Sequence, residues 1–174
     1  MNRISRRLFL LSIPAALGGV YFWNKRKKWK YIVVHHSAGS SGNLKFLKNV
    51  HKERFPYSKY MAYHFLIGNG KGMKEGEIAY GKRWKNQIWG AHVSYRNKFK
   101  NYSGIGICMI GNFEKYKMGE KQYQGMFSLI KYLKIKYKID SNNVLFHGKI
   151  HKEQTLCPGK NFPYERLIKD IKKS

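Results

Sequence analysis

The sequence predicts an α/β fold, in which a single domain has a mixed central β-sheet flanked by helices. Short apolar, β-branched runs alternate along the chain with longer stretches in which apolar residues recur every three or four positions. Strands that alternate with helices in this way favour a layered architecture of sheet and helices. The length of 174 residues suits one domain with a real hydrophobic core, and no internal repeat divides the sequence.

The first 29 residues are predicted to be an export signal or a membrane anchor, so the folded domain is taken as residues 30–174. A basic start precedes an apolar stretch at positions 8–23, and a second basic cluster, NKRKKWK, follows it. The apolar stretch is shorter than the ~20 residues that span a bilayer comfortably. The arginine pair in SRRLFL resembles the twin-arginine export signal, and it equally suits the basic start of a general secretory signal. The protein is therefore expected in the periplasm or cell envelope, either released or held at the membrane.

The first half of the folded part is predicted to contain a strand, a helix and a hairpin. Residues 30–38, KYIVVHHSA, are apolar and β-branched and predict a buried strand. Apolar residues between Asn43 and Arg54 have helical spacing, which predicts a short amphipathic helix. The runs at 62–67 and 77–80 are separated by a segment that starts with a Gly-Asn-Gly turn, so they predict a hairpin.

The second half begins with an aromatic and basic stretch without an apolar period, so residues 82–102 are predicted to be a surface loop. The run SGIGICMIGNF at 103–113 predicts a central strand, with glycines where a side chain or ligand approaches closely. The longest helix is predicted between Glu120 and Lys138. A short strand at 142–147 and a closing helix at 162–172 complete the fold.

The charge of the chain predicts a polyanionic partner. It has 35 Lys and Arg against 9 Asp and Glu, a formal net charge of +26. Nucleic acid and the anionic polymers of a cell envelope both fit this charge, and a genome-wide bias toward lysine would also produce it. A specific nucleic-acid binder is disfavoured, because the chain has no recognisable binding motif and its aromatic residues cluster in one stretch.

Histidine occurs at the ends of two predicted strands, in the pair His35-His36 and at His147. Cys157 follows His147 by ten residues, through a loop that could fold back. Two histidines and a cysteine form a three-ligand zinc set that leaves the fourth position for water, and imidazole and thiolate are softer donors than Mg²⁺ or Ca²⁺ prefers. The other cysteine, Cys108, lies in the apolar run GIGICMIG, which indicates a buried strand thiol.

Four motifs together resemble a known family. YIVVHHSAG, YHFLIGNG, GAHVSY with GIGICMIGNF, and HGKIHKEQTLCPG occur in the order found in zinc-dependent N-acetylmuramoyl-L-alanine amidases, the family of phage amidase-lysozymes and peptidoglycan recognition proteins. The resemblance covers about residues 30–170. It implies an amidase/peptidoglycan-recognition fold, one Zn²⁺ per chain, and hydrolysis of the amide between N-acetylmuramic acid and L-alanine. Peptidoglycan or muropeptides are the implied substrates, anionic cell-envelope polymers are further expected partners, and a monomer is expected.

The resemblance also implies roles for individual residues. It makes His35, His147 and Cys157 the zinc ligands, and it makes Tyr63 and Thr155 the catalytic groups that stabilise the oxyanion. Core packing for Tyr63 and turn stabilisation for Thr155 are the simpler alternatives. The residues implied to contact or line the substrate are His36, His92 and Trp89, although aromatic residues of this stretch could equally hold the loop down.

One departure from the family pattern leaves the second histidine ligand open. Many relatives have a shorter separation between that histidine and the cysteine, so His151, six residues before Cys157, is a rival to His147. His147 is favoured because it ends a predicted strand and the extra length fits a loop insertion. A non-catalytic peptidoglycan-binding module is the alternative function, but family members that only bind tend to lack a zinc ligand, and all three candidates are present here.

Overall fold

The computed structural model describes residues 29–54 and 58–174, and it contains the predicted mixed sheet. The five strands are β1 (Tyr31–His36), β2 (Phe65–Ile67), β3 (Ile78–Tyr80), β4 (Gly104–Met109) and β5 (Val144–Phe146). Their order in the sheet is β3-β2-β4-β1-β5. β1 pairs in parallel with β4 and β5, β4 pairs in parallel with β2, and β3 is antiparallel to β2 as the predicted hairpin requires.

The helices are α1 (Leu44–Arg54), α2 (Lys82–Lys85), α3 (Lys98–Ser103), α4 (Glu120–Tyr137) and α5 (Tyr164–Lys173). Three of them, α1, α4 and α5, lie where the spacing of apolar residues predicted helices. The hydrophobic core joins one face of the sheet to α4 and α5, through residues such as Val34 of β1, Ile130 of α4 and Leu167 of α5. Because side chains alternate along a strand, Val33 and His35, the neighbours of Val34 in β1, point to the opposite face of the sheet.

The predicted surface loop at 82–102 is wrong in two respects. The stretch contains α2, a 3-10 turn at Tyr95–Asn97 and most of α3, and it buries Arg83, His92 and Val93. Its helices have only four and six residues, too short to show an apolar period. Hydrogen bonds offset the cost of burying polar groups in this stretch. The Arg83 Nε, for example, donates to the Met61 carbonyl oxygen at 2.7 Å.

The described chain begins inside the core, one residue before the predicted domain boundary. Trp29 is 3% exposed, its Nε1 donates to Gln87 Oε1 at 2.9 Å, and its ring stacks near that of Trp84. The boundary between residues 1–29 and the domain at 30–174 stays a prediction, with Trp29 packed on the domain. The rest of the predicted export segment, residues 1–28, lies outside the described residues. Within residues 29–54 and 58–174, no helix is long and apolar enough to cross a membrane.

A polar contact between α4 and α5 gives a test of the packing. The Tyr123 hydroxyl donates to Asp170 Oδ2 at 2.5 Å, and the ring is 1% exposed with the Arg166 guanidinium 3.7 Å from its centroid. We expect Tyr123→Phe to lower the free energy of unfolding by about 1 kcal/mol, because the ring stays and only the hydrogen bond is lost. Urea unfolding followed by circular dichroism measures this. An unchanged unfolding midpoint would show that the contact contributes nothing to joining the helices.

Candidate active site

Three side chains from distant parts of the chain meet at one edge of the sheet. His35, His147 and Cys157 each offer one ligand atom, and these atoms lie within 4.8 Å of one another. β1 and β5 are parallel neighbours, so their carboxyl ends lie at the same edge, with His35 near the end of β1 and His147 directly after β5. The loop after His147 folds back, since the Gly148 amide donates to the Cys157 carbonyl oxygen at 2.6 Å.

His35 is fully buried, and its two ring nitrogens face different partners. Its Nδ1 lies 3.8 Å from Cys157 Sγ, and its Nε2 lies 3.2 Å from His92 Nδ1. The other nitrogen of His92 faces the Gly104 carbonyl oxygen at 3.4 Å, which can only accept a hydrogen bond. His92 therefore carries its proton on Nε2 and accepts from His35 Nε2–H. The lone pair of His35 is left on Nδ1, on the side of Cys157.

Both rings of this pair are neutral at pH 7. Burial lowers the pKa of His35 well below its ordinary value, and the neighbouring His92 and His147 lower it further. Burial also lowers the pKa of His92, helped by His64 and opposed by the hydrogen bond to Gly104. A neutral imidazole is the form that binds a metal ion, so the site has His35 ready as a ligand.

His147 is hydrogen-bonded to a carboxylate. Its Nε2 lies 3.1 Å from Glu153 Oε2, so Nε2 carries the proton and Nδ1 has the lone pair. Burial lowers the pKa of His147, while Glu153 acts in the opposite direction. His151, the rival ligand, is exposed, and its carbonyl oxygen accepts from Asn97 Nδ2 at 3.0 Å. The metal-ligating group that the structure brings together contains His147 and not His151.

The Cys157 thiol is buried and has one polar contact from the neighbouring strand. The backbone N–H of His36 donates to Sγ at 3.3 Å. Burial raises the pKa of Cys157 to about 12, against the smaller lowering effect of that N–H. The thiol is therefore protonated at pH 7 on its own, and a bound cation is what would favour the thiolate.

The residues present fit a zinc ion. In a tetrahedral zinc site, nitrogen and sulfur donors on the same ion lie about 3.6 Å apart, as follows from Zn–N and Zn–S bonds of about 2.0–2.3 Å. The observed separation of His35 Nδ1 and Cys157 Sγ is 3.8 Å. Imidazole nitrogen and cysteine sulfur are also softer donors than the oxygen ligands that Mg²⁺ and Ca²⁺ prefer, so this set of residues suits zinc better than either of those ions.

The predicted catalytic residues lie beside this group. The Tyr63 ring centroid is 5.0 Å from that of His35, and Tyr63 packs against the buried cluster that contains Cys108. Cys108 pairs in register with His35 across β1 and β4, so both side chains point to the same face. Thr155 Oγ1 accepts from the Cys157 amide at 3.2 Å, so Thr155 stabilises the turn, while its hydroxyl hydrogen remains a possible donor.

The three predicted substrate contacts have different surroundings. His36 is 8% exposed and its Nδ1 accepts from the Phe113 amide at 3.2 Å, on the face of β1 opposite to His35. His92 is 6% exposed and lies behind His35. Both rings are largely buried, and their contact with substrate stays a prediction. Trp89 is 51% exposed, which leaves it available for a substrate.

Comparison with known proteins agrees with this geometry. The family model described as N-acetylmuramoyl-L-alanine amidase matches residues 25–160. The chain belongs to this amidase family. A search of curated proteins finds no match.

Solved structures share the fold of this amidase. N-acetylmuramoyl-L-alanine amidase LysC from Clostridium intestinale URNW is 29% identical, with a TM-score of 0.70, and the similarity covers 83% of this chain and 86% of that one. Bumblebee PGRP-SA is 22% identical, with a TM-score of 0.63 over 79% of this chain and 80% of that one. Human PGRP-IBETAC, in complex with glycosamyl muramyl pentapeptide, is 21% identical, with a TM-score of 0.63 over 79% and 81%. The two recognition proteins support the fold alone.

A glycine in β4 of the amidase makes room for the His92 ring. A Cβ built on Gly106 would lie 2.5 Å from His92 Cδ2. Since His92 is buried, we expect Gly106→Ala to displace its ring, remove the partner of His35 Nε2 and weaken zinc binding by roughly 10- to 100-fold. Competition with a zinc chelator measures this. Gly39→Ala is the control, because a Cβ there meets its nearest atom at 3.5 Å. Equal affinities in the two variants would contradict the role given to His92.

Proposed function

We propose that this chain is a zinc-dependent N-acetylmuramoyl-L-alanine amidase that hydrolyses the amide between the lactyl group of N-acetylmuramic acid and L-alanine in peptidoglycan. The observation that carries the proposal is the convergence of His35, His147 and Cys157 within 4.8 Å in a member of this amidase family. A module that only binds peptidoglycan has no need of a complete three-ligand set.

The three ligands would hold one zinc ion, which would act as a Lewis acid toward a carbonyl and would lower the pKa of a bound water to about 7. His35 and His147 each have a protonated nitrogen that donates to a fixed partner, so their Nδ1 lone pairs are held toward the centre of the site. As a zinc ligand Cys157 would be a thiolate, and the His36 amide would stabilise the negative charge on its sulfur.

Tyr63 is the residue we assign to the developing oxyanion. Its ring lies beside that of His35, and Tyr63 is half-buried, so the side chain adjoins the proposed metal site and is not fully enclosed. Packing against the buried cluster that contains Cys108 would keep the phenol ring in place when no substrate is bound. Thr155 is the second candidate donor, since its hydroxyl hydrogen is not needed for the bond from the Cys157 amide.

The charge of the chain supports an anionic wall polymer as the substrate. A formal net charge of +26 would hold the protein on such a polymer and make its affinity dependent on salt. We also propose that the protein is exported and works in the periplasm or cell envelope as a monomer, with its N-terminus either cleaved or kept at the membrane.

Digestion of purified sacculi tests the proposed reaction. The chain with zinc is expected to release stem peptides with a free N-terminal L-alanine and to leave the glycan strands intact, as measured by mass spectrometry. A chelator should stop the release and added zinc should restore it. Retention on sacculi without any released peptide would instead support the non-catalytic binding module, and released disaccharides would indicate a different bond.

A further inference from the structure

The loop between two of the proposed zinc ligands contains a buried carboxylate that is neither a proposed ligand nor a proposed catalytic group. The side chain of Glu153 is 4% exposed. Among the described residues, no Lys or Arg lies within ion-pair distance of it, although the chain has 35 of them. A buried carboxylate is costly unless other groups satisfy it, so its partners indicate why it is there.

The two oxygens of Glu153 have different tasks. Oε1 accepts from the Ser94 hydroxyl at 2.7 Å, the Ser94 amide at 3.0 Å and Asn97 Nδ2 at 2.8 Å. These three bonds fix the carboxylate on the turn at residues 94–97. Oε2 also lies 3.3 Å from the Ser94 amide, and its remaining contact is His147 Nε2 at 3.1 Å. The anchored carboxylate is therefore aimed at a proposed zinc ligand.

The geometry points to Glu153 as a positioning residue for His147, an inference that rests on the proposed zinc function. A carboxylate can only accept, so it holds the His147 proton on Nε2 and the lone pair on Nδ1. A charged hydrogen-bond acceptor also makes the imidazole a stronger electron-pair donor to a metal ion than a neutral acceptor does. Glu153 is not a member of the ligand group, and its only hydrogen bond to that group is the one to His147, so it acts through His147 alone.

The turn that anchors Glu153 also belongs to the segment that supports the other histidine ligand. His92, the partner of His35 Nε2, lies just before Ser94. Asn101 holds this segment, since its Oδ1 accepts from the amides of His92 at 2.7 Å and Val93 at 3.0 Å. Residues 92–101, which we name the support segment, therefore orient both imidazole ligands, one through a neutral ring and the other through a carboxylate.

The carboxylate is supplied by the loop between the two proposed ligands. His147 and Cys157 are ten residues apart, and Glu153 is the only acidic residue between them. Asn97 Nδ2 also donates to the His151 carbonyl oxygen at 3.0 Å, so the same side chain holds two points of the loop. The loop thus brings an acceptor to His147 from its own sequence, and the support segment fixes it there.

The zinc dissociation constant of the full-length chain tests the inference. We expect Glu153→Ala to raise it by roughly 10- to 100-fold in competition with a chromophoric chelator, and Glu153→Gln, which keeps the size but not the charge, to raise it less. Glu165→Ala, which removes an exposed acid of α5, is the matched control and should leave it unchanged. Nitrogen-15 NMR of the histidine rings should show the Nε2–H form of His147 in the wild type and a mixture of tautomers in Glu153→Ala.

The other outcomes of these measurements decide between a positioning role and a structural role for Glu153, and between this inference and the proposed function. A zinc dissociation constant and a His147 tautomer that are unchanged in Glu153→Ala would overturn the inference, even if the variant unfolds more easily, because the role would then be structural only. If Glu153→Ala does not fold, Glu153→Gln decides by the same two measurements. A wild-type chain that binds zinc without hydrolysing sacculi would overturn the proposed function but leave this inference standing. A wild-type chain that binds no zinc would overturn both.

Discussion

Replacing Cys157 by serine is expected to remove the bound zinc and abolish hydrolysis of sacculi. Serine keeps the size of the side chain, but its hydroxyl does not ionise near neutral pH and is a poor zinc ligand beside two imidazoles. The loss of rate should exceed the roughly 100- to 1000-fold that removal of a single oxyanion donor costs, because the group that supplies the electrophile is missing. Zinc per chain, measured by mass spectrometry of the metal, and peptide release from sacculi are the two measurements.

The second cysteine provides the control for this prediction. Cys108 is fully buried in β4, and burial raises its pKa well above the ordinary value. It lies outside the group of His35, His147 and Cys157. Cys108→Ala should therefore keep one zinc per chain. If Cys157→Ser also kept its zinc, the assignment of the thiolate ligand would be wrong.

Replacing Tyr63 by phenylalanine is expected to lower kcat by roughly 100- to 1000-fold with no loss of zinc. The phenyl ring would preserve the contact with the His35 ring, whose centroid lies 5.0 Å away. Only the hydroxyl is removed, and it is the donor assigned to the developing oxyanion. Steady-state hydrolysis of a soluble muropeptide gives kcat and KM separately, and the effect should fall mainly on kcat.

Two companion variants separate catalysis from packing at Tyr63. Tyr80→Phe removes a hydroxyl from a tyrosine of β3 that is 57% exposed, and it should leave kcat unchanged. Cys108→Ala removes a thiol from the buried cluster against which Tyr63 packs, and it should lower kcat much less than Tyr63→Phe does. A Tyr63→Phe variant with wild-type kcat, or one that loses zinc together with activity, would contradict the catalytic role.

The features that could be predicted from sequence are those that local pattern determines. The buried strand ending in His35, the central strand with Cys108 and the long helix α4 all follow from apolar runs or helical periods, and the structure has them. The ligand group could be predicted because each member lies in a motif, at a strand end or before Pro-Gly. Parallel pairing of β1 with β5 then brings the two strand ends together.

The features that were missed depend on partners far away in sequence. Glu153 is an ordinary acid in a polar loop until Ser94, more than fifty residues earlier, is seen to bind it. His92 resembles a surface residue of a basic stretch, yet Gly106 in β4 leaves the space that buries its ring. Trp29 follows a run of basic residues, but Gln87 and Trp84 enclose it in the core. The local spacing of apolar residues does not reveal contacts between residues so far apart in the sequence.

The most direct test of the central claim compares the zinc content of His147→Ala with that of His151→Ala, each measured beside its hydrolysis of sacculi. The two histidines lie four residues apart in one loop, so the variants differ little except in the position of the lost imidazole. The structure predicts that His147→Ala loses both zinc and activity, whereas His151→Ala, which changes an exposed side chain, keeps one zinc per chain and near wild-type activity. Zinc retained in His147→Ala and lost in His151→Ala would contradict the ligand set on which the proposed function depends.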